Sequence, residues 1–218
     1  LQLPADFQGP YQPELKQLDP FSTISEAQQP QLLNRYKNSV FYIDQLLGSL
    51  FERWQGSQLM DNTLIIITSD HGFELGDTEP TSWGAGSNYS RPQMQVPLIL
   101  AWPGKSPLQH TGLTSHQDLV PTLLPELFGI RSPAEDYSTG RTLWQETPRD
   151  WVISGNNRHF VIVGQQEITL FDRQGNFSLH RSKDYEEIDD GRPNMPALLK
   201  VMRDLNRFKG SNAAPDRP

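Results

Sequence analysis

The sequence has no cysteine among its 218 residues. This absence excludes disulfides, thiolate metal sites and a cysteine nucleophile. It leaves the cellular compartment open, because a chain without cysteine is compatible with both reducing and oxidising spaces. Hydrophobic residues are also scarce at 35%, which favours a chain with long polar loops or one that packs against another segment.

Long apolar runs are missing as well. A helix that crosses a bilayer needs about 20 apolar residues, whereas the longest runs, residues 64–67 and 96–102, have only strand length. No signal peptide is recognisable. The chain begins at Leu1 instead of Met, so we expect it to be part of a longer protein.

Basic patches are rare in this acidic chain. The net charge is -7 and the sequence pI is about 5.2, whereas proteins that bind nucleic acids need positively charged surfaces. The densest basic cluster, Arg203, Arg207 and Lys209, falls on a predicted helix and is best explained as a solvated face. We therefore expect no nucleic-acid partner.

Apolar periodicity predicts a helix over residues 31–55. Its apolar stripe recurs at three- and four-residue steps, and Gly56 is placed to end it. The stripe consists of Leu32, Tyr36, Val40, Ile43, Leu47, Leu50 and Trp54. The preceding 30 residues, which are rich in Pro and Gln, predict an extended surface segment.

Two unbroken apolar runs, residues 63–68 and 96–102, predict strands buried on both faces, as in a parallel sheet. Residues 73–95 between them are predicted to form a long polar loop, and such loops are often functional. Residues 119–128 predict a short helix with Asp118 as its N-cap and Gly129 at its end.

From residue 151 onward, the pattern of apolar residues changes to that of short strands. Residues 151–153, 160–163, 168–171 and 177–179 predict an antiparallel meander, followed by a helix over residues 195–208 and a disordered tail over 210–218. The predicted class is α/β. We assign residues 1–150 to the C-terminal part of an α/β core, and residues 151–209 to a meander plus helix of the same domain.

The segment most informative about chemistry is IIITSDHG, residues 65–72. Asp70 and His71 directly follow a predicted strand, and both residue types are ligands for zinc or manganese. Gly72 allows a sharp backbone turn at the end of the strand, and such a turn would direct both side chains toward one ion. The alternative is a strand-end turn in which Asp70 caps a backbone N–H, since a catalytic zinc needs about three protein ligands.

Other polar residues are weaker candidates. Arg91 closes the polar loop and, with Asn88, is a candidate contact to a phosphate or lipid headgroup, although an ordinary salt bridge also explains Arg91. His116 and Asp118 suit either a metal or, more simply, a helix start. The acidic run at residues 184–190 lacks the spacing of a calcium loop and predicts a solvated loop.

The order of these segments resembles the alkaline phosphatase superfamily, which includes sulfatases, lipoteichoic acid synthases and phosphoethanolamine transferases. Residues 62–72 resemble its late metal-binding strand, residues 95–104 its next strand, and residues 115–124 its later helix start. The resemblance runs over nearly the whole chain, from about residue 1 to about residue 208.

The resemblance implies part of a sulfatase-like mixed sheet flanked by helices. Asp70 and His71 match the family's two late ligands for a divalent metal such as Mn, Mg or Zn. The Thr or Ser nucleophile and an acidic ligand are expected on earlier strands, so this chain is expected to contain no catalytic nucleophile. Catalytic relatives usually place a further His in the loop that corresponds to residues 80–90, where this sequence has none. Efficient phosphoryl transfer is therefore not expected.

Residues 81–91 and 133–140 further resemble members of the family that belong to the bacterial inner membrane. This implies a periplasmic domain that monitors lipid A, lipopolysaccharide or anionic phospholipid. It also implies control of lipopolysaccharide synthesis through a LapB-type regulator, contacted by a membrane part outside this chain. The alternatives are a metal-dependent phosphatase or phosphoglycerol- or phosphoethanolamine-type transferase, and a structural remnant without a ligand.

Overall fold

The chain has a mixed α/β fold, known from a computed structural model that describes residues 3–16, 24–86, 88–145 and 148–208. Contacts divide it into a first unit, Leu1–Asn88 with Pro92–Ser106, and a second unit, Tyr89–Arg91 with Pro107–Pro218. Within the described ranges, no helix combines the length and apolar character of a membrane span.

The helices are α1 (Gln29–Trp54), α2 (Arg91–Met94), α3 (Leu119–Phe128) and α4 (Met195–Asn206). The strands are β1 (Ile65–Thr68), β2 (Glu74–Leu75), β3 (Trp83–Gly84), β4 (Leu98–Ala101), β5 (Trp151–Gly155), β6 (Phe160–Gly164), β7 (Glu167–Phe171) and β8 (Phe177–Arg181).

The first unit is built along α1, which confirms the predicted helix. Gly56, with φ 79°, follows its end. The N-terminal segment is bound to α1 through buried Asn38, whose side chain accepts from the backbone N–H of Tyr11 at 3.0 Å and donates to its carbonyl oxygen at 2.9 Å. Asn38 also donates to Glu14 Oε2 at 2.6 Å. The extended segment is therefore fixed by side-chain bonds instead of by an element of its own.

The apolar stripe of α1 is only partly covered by the described residues. Leu32 is 1% exposed, whereas Val40 and Ile43 are 51% and 55% exposed. Leu46 and Leu50 extend the same exposed face toward the end of the helix. The periodicity predicted the helix correctly, but within the described part of the chain no segment packs over this half of the stripe.

The predicted parallel sheet is wrong for the two central runs. β1 pairs antiparallel with β4, with Ile67 opposite Ile99 and Thr68 opposite Leu98. Every second residue of each strand is exposed instead of both faces being buried. An unbroken apolar run does not encode strand direction, and the described residues place only these two strands side by side.

The predicted polar loop, residues 73–95, contains structure that the sequence did not reveal. β2 and β3 form a hairpin with Glu74 opposite Gly84, and α2 follows before β4. Two-residue strands and a four-residue helix are too short to give a periodic signal.

The second unit centres on the predicted meander. β5, β6, β7 and β8 pair in sequence order, and every pair is antiparallel. Its core includes Val161, Ile168 and Leu179, together with Val201 of α4. The meander and the final helix are confirmed, while the predicted disordered tail lies outside the described residues.

The boundary predicted at residue 150 falls inside the second unit. Residues before it belong to the same contact network as the meander, because Arg207 at the end of α4 donates to the carbonyl oxygen of Ser138 at 2.9 Å. The grouping of all residues from 1 to 209 into one domain stays a prediction.

A buried ion pair holds the start of α3. Asp118, 1% exposed, receives two bonds from Arg149, at 2.7 and 3.1 Å. The same carboxylate accepts from the backbone N–H groups of Ser115 at 2.7 Å and Arg141 at 2.8 Å. Asp118 occupies the N-cap position of α3 as predicted, but its side chain makes no cap bond to α3 and instead accepts from Ser115 in the turn before it. Gly129, with φ 65°, ends α3 as predicted.

We expect Arg149→Met to lower the free energy of unfolding by about 3–5 kcal/mol, because it leaves a buried carboxylate without its cation. Urea unfolding monitored by circular dichroism measures this. The control is Arg181→Met, which removes the exposed ion pair of Arg181 with Asp184 and should leave stability unchanged. Equal urea midpoints for the two variants would contradict a stabilising role for the buried pair.

Candidate functional site

Asp70 and His71 lie at a sharp turn directly after β1. The backbone N–H of His71 donates to Asp70 Oδ1 at 2.9 Å, and Ser69 Oγ donates to the carbonyl oxygen of His71 at 2.8 Å. These bonds fold the backbone back, and the two side chains point the same way, with Asp70 Oδ2 3.7 Å from His71 Nε2. Their side chains are 85% and 60% exposed, so the pair is open to a ligand.

The tautomer of His71 is set by its own neighbour. His71 Nδ1 lies 2.8 Å from the carbonyl oxygen of Gly72. A carbonyl oxygen only accepts, so the hydrogen of the neutral ring must lie on Nδ1. Nε2 then keeps its lone pair and faces the Asp70 carboxylate, which is the arrangement found when a histidine binds a metal.

Asp70 is held in its charged form. The hydrogen bond from the backbone N–H of His71 is the main cause that lowers the pKa of the Asp70 carboxyl below its ordinary value, and the Coulombic attraction of the His71 ring adds to it when that ring is protonated. The carboxylate therefore keeps its charge at neutral pH and is protonated only as the pH falls through this lowered value. A carboxylate beside an imidazole nitrogen is a donor pair that fits a divalent cation better than an anion.

Gly72 is required by a close backbone approach after the turn. Its N–H donates to the carbonyl oxygen of Gln93 at 2.8 Å, and the N–H of Phe73 donates to that of Pro92 at 3.1 Å. A Cβ atom at position 72 would collide with the carbonyl oxygen of Pro92. The glycine thus lets the end of the polar loop fold back against its beginning.

Behind this contact lies a buried polar network that sequence reasoning missed. Gln93 is 3% exposed and Glu74 is fully buried. Glu74 Oε1 accepts from the backbone N–H of Thr78 at 2.8 Å and from its hydroxyl at 2.6 Å. Gln93 Nε2 donates to Asn88 Oδ1 at 2.7 Å and lies 3.5 Å from Glu74 Oε2. A polar residue inside a polar loop gives no sequence signal that it is buried.

The other candidates have different positions. Asn88 is half-buried and bound to Gln93, whereas Arg91 is an exposed residue at the start of α2. Asn88 belongs to the first unit and Arg91 to the second. Asp118 serves the ion pair with Arg149, which supports its structural explanation, and the explanation of His116 stays a prediction. Among residues 3–16, 24–86, 88–145 and 148–208, no group of three or more His, Cys, Asp or Glu side chains could hold a metal ion.

The sequence matches the sulfatase family over residues 3–130, more than half of the chain. The chain belongs to the sulfatase family. It is 32% identical to an uncharacterized protein of Haemophilus influenzae over 84% of this chain and 30% of that protein. It is 26% identical to the inner membrane protein YejM of Salmonella typhimurium over 86% of this chain and 31% of that protein.

The fold comparison agrees with this membership. A protein solved with its substrate D-glucosamine-2-N,6-O-disulfate superposes with a TM-score of 0.62 at 17% identity. The match covers 88% of this chain and 44% of the solved one. The chain therefore spans about a third of the length of the two relatives named above and less than half of this solved structure.

We expect Gly72→Ala to destabilise the chain by about 1–3 kcal/mol, because the added methyl group forces apart the backbones of Gly72 and Pro92. Urea unfolding checks this. The matched control is Gly48→Ala in α1, where a Cβ would meet nothing within 4 Å. Alanine there should raise the free energy of unfolding by about 0.5–1 kcal/mol, because alanine favours the helix more than glycine does. An unfolding free energy of Gly72→Ala at or above the wild-type value would disprove the close approach.

Proposed function

We propose that the chain is the headgroup-binding part of a sulfatase-family protein of the inner membrane. On the periplasmic face it binds the phosphate-bearing headgroup of lipid A, lipopolysaccharide or an anionic phospholipid. It thereby regulates lipopolysaccharide synthesis, through a LapB-type regulator that contacts the membrane part. Efficient turnover of the ligand is not required for this role.

The observation that carries the proposal is the composition of residues 83–85, which are β3 and the residue after it. Trp83, Gly84 and Ala85 stand where catalytic relatives are expected to supply a further ligating histidine. The structure leaves Asp70 and His71 as a pair, with no third ligand grouped with them among the described residues. Phosphoryl and sulfuryl transfer depend on metals that neutralise developing charge, whereas binding a headgroup needs only suitably placed donors.

The kinship with YejM supports the same assignment. That relative is described as an inner membrane protein, and the resemblance extends over 86% of this chain. In this proposal the sensing part and the membrane part are separate segments of the whole protein. The net charge of the chain is -7. This charge favours recognition of the headgroup by a few hydrogen-bond donors over recognition by a broad basic surface.

We expect Asp70→Ala, made in the complete protein, to leave cellular lipopolysaccharide at the wild-type amount, because the carboxylate acts in metal binding and not in headgroup recognition. Asn88→Ala should disturb that amount, because it removes the candidate donor. Lipopolysaccharide quantified from strains carrying each variant, at matched protein levels, is the measurement. Loss of regulation in Asp70→Ala together with normal regulation in Asn88→Ala would reverse the assignment.

A second candidate function is a metal-dependent phosphatase, or a phosphoglycerol- or phosphoethanolamine-type transferase. The observation in its favour is that Asp70 Oδ2 and the lone pair of His71 Nε2 face one another across 3.7 Å. These two groups would hold a Mn, Mg or Zn ion, which acts as a Lewis acid on an ester oxygen. The remaining ligands and the nucleophile would have to come from outside the described residues.

If this second function holds, the complete protein should carry stoichiometric metal that Asp70→Ala loses, and it should hydrolyse phosphate esters faster than that variant. Metal content by mass spectrometry and turnover of p-nitrophenyl phosphate measure the two expectations. Wild-type protein without bound metal and with turnover equal to Asp70→Ala would eliminate this candidate. Absence of both metal and lipid binding would leave only a structural remnant.

A further inference from the structure

The final helix, α4, has more apolar surface than the core of the second unit uses. Ala197 and Val201 are buried. Because residues three and four positions apart share a face of a helix, a second apolar stripe runs along another side of α4. Its members are Met195, Leu199 and Met202, which are 50%, 62% and 42% exposed. Packing among the described residues therefore does not account for this second stripe, which we call the α4 stripe.

The α4 stripe differs from the scattered apolar residues of an ordinary protein surface. Single exposed apolar residues need no explanation, whereas a contiguous patch marks a surface that contacts a protein or a membrane. Two of the three residues are methionines, whose unbranched side chains adapt to irregular apolar surroundings. An exposed stripe on the outside of a helix is convex, and this shape suits a soft surface that deforms around it.

Cations accompany the α4 stripe although the chain as a whole has a net charge of -7. The helix and the two residues after it contain Lys200, Arg203 and Arg207 against one acid, Asp204. The acid is paired with Arg207 at 3.7 Å. Arg203 is exposed and lies four residues after Leu199, so it flanks the stripe directly. Cations beside exposed apolar side chains are typical of helices that lie in the interface of an anionic bilayer.

The helix α3 shows that exposed apolar residues alone do not give this signal. Leu127 and Phe128 at its end are 50% and 72% exposed. However, α3 contains no Lys or Arg, and Glu126 precedes these two residues. An anionic lipid surface attracts nearby Lys and Arg side chains. Of these two apolar faces, the one on α4 is therefore the one that fits an anionic membrane.

A second copy of this chain fits the α4 stripe less well than a membrane does. In a two-fold contact the same patch of both copies meets itself, so the guanidinium groups of Arg203 from the two copies would be brought together. Like charges that face each other across an interface are unfavourable. The phosphate groups of an anionic bilayer would instead attract Arg203.

We infer that α4 is a membrane-contacting helix: the α4 stripe enters the interface of an anionic phospholipid bilayer, and Arg203 binds lipid phosphate groups beside it. This inference rests on the proposed function for its location at a membrane. It does not depend on the proposed headgroup site, because Asn88 belongs to the first unit and α4 to the second.

The test places a fluorescent label on the α4 stripe in the complete protein. Leu199→Cys is labelled with bimane after any cysteine outside this chain has been replaced by serine, since this chain contributes none. The protein is reconstituted in vesicles of phosphatidylglycerol and phosphatidylcholine that contain spin-labelled lipid, which quenches bimane at the bilayer. The matched control is Leu127→Cys, which labels an exposed leucine on α3.

We expect the label at position 199 to be quenched and the label at position 127 to keep its fluorescence. Adding Arg203→Glu to Leu199→Cys should abolish the quenching, because attraction to lipid phosphate becomes repulsion. Arg131→Glu, an equal change of charge at an exposed residue outside α4, should leave the quenching intact. Both changes are at exposed positions, so unchanged melting temperatures by circular dichroism should show that each variant is folded.

The possible failures are distinguishable. Complete protein that does not associate with vesicles would overturn the location in the proposed function and this inference with it. Vesicle-bound protein with an unquenched label at position 199 would overturn this inference alone. Equal quenching at positions 199 and 127, or quenching that persists in Arg203→Glu or in phosphatidylcholine alone, would do the same. A bimane signal that changes with protein concentration in detergent, without vesicles, would assign the stripe to a second copy instead.

Discussion

The backbone contact of Gly72 and Phe73 with Pro92 and Gln93 is the constraint on which the candidate site depends. It brings residues about 20 positions apart in sequence into hydrogen-bond distance. The entropic cost of closing such a loop grows only slowly with length, and the two backbone bonds and the buried side chains behind them offset it. The turn that presents Asp70 and His71 and the rim that presents Asn88 are therefore fixed relative to one another.

The two units use buried polar groups for different purposes. In the second unit Asp118 is satisfied by Arg149 and by two backbone N–H groups, so its charge is compensated and serves the packing around α3. In the first unit the Gln93 network includes one carboxylate and ends at a half-buried amide. The network around Asp118 fixes the start of α3, whereas the Gln93 network fixes the loop between β1 and β4.

The sequence predicted the elements that carry a long periodic signal and missed those that depend on tertiary contacts. The helix α1, the helix α3 and the meander follow from apolar spacing and turn residues, and each is present near its predicted bounds. The antiparallel pairing of β1 with β4 was not predictable, because an apolar run specifies burial and not direction. The burial of Gln93 and Glu74 was also inaccessible, since it is created by a loop closure that sequence spacing does not encode.

The site residues show the same division. Asp70, His71 and Gly72 could be singled out because a carboxylate, an imidazole and a glycine adjacent in sequence need only local geometry to act together. Asn88 could be named as a polar loop residue, but its bond to the buried Gln93 could not, because the loop closure that buries Gln93 has no signal in the sequence.

The polar network of the first unit explains why this loop keeps its shape. Glu74 is fully buried and Gln93 is nearly so, and burying such groups is costly unless they are hydrogen-bonded. Thr78 donates twice to Glu74, and Gly86 donates to Gln93, which in turn donates to Asn88. Removing one partner would leave a buried polar group unsatisfied, which costs more than the net contribution of a single hydrogen bond.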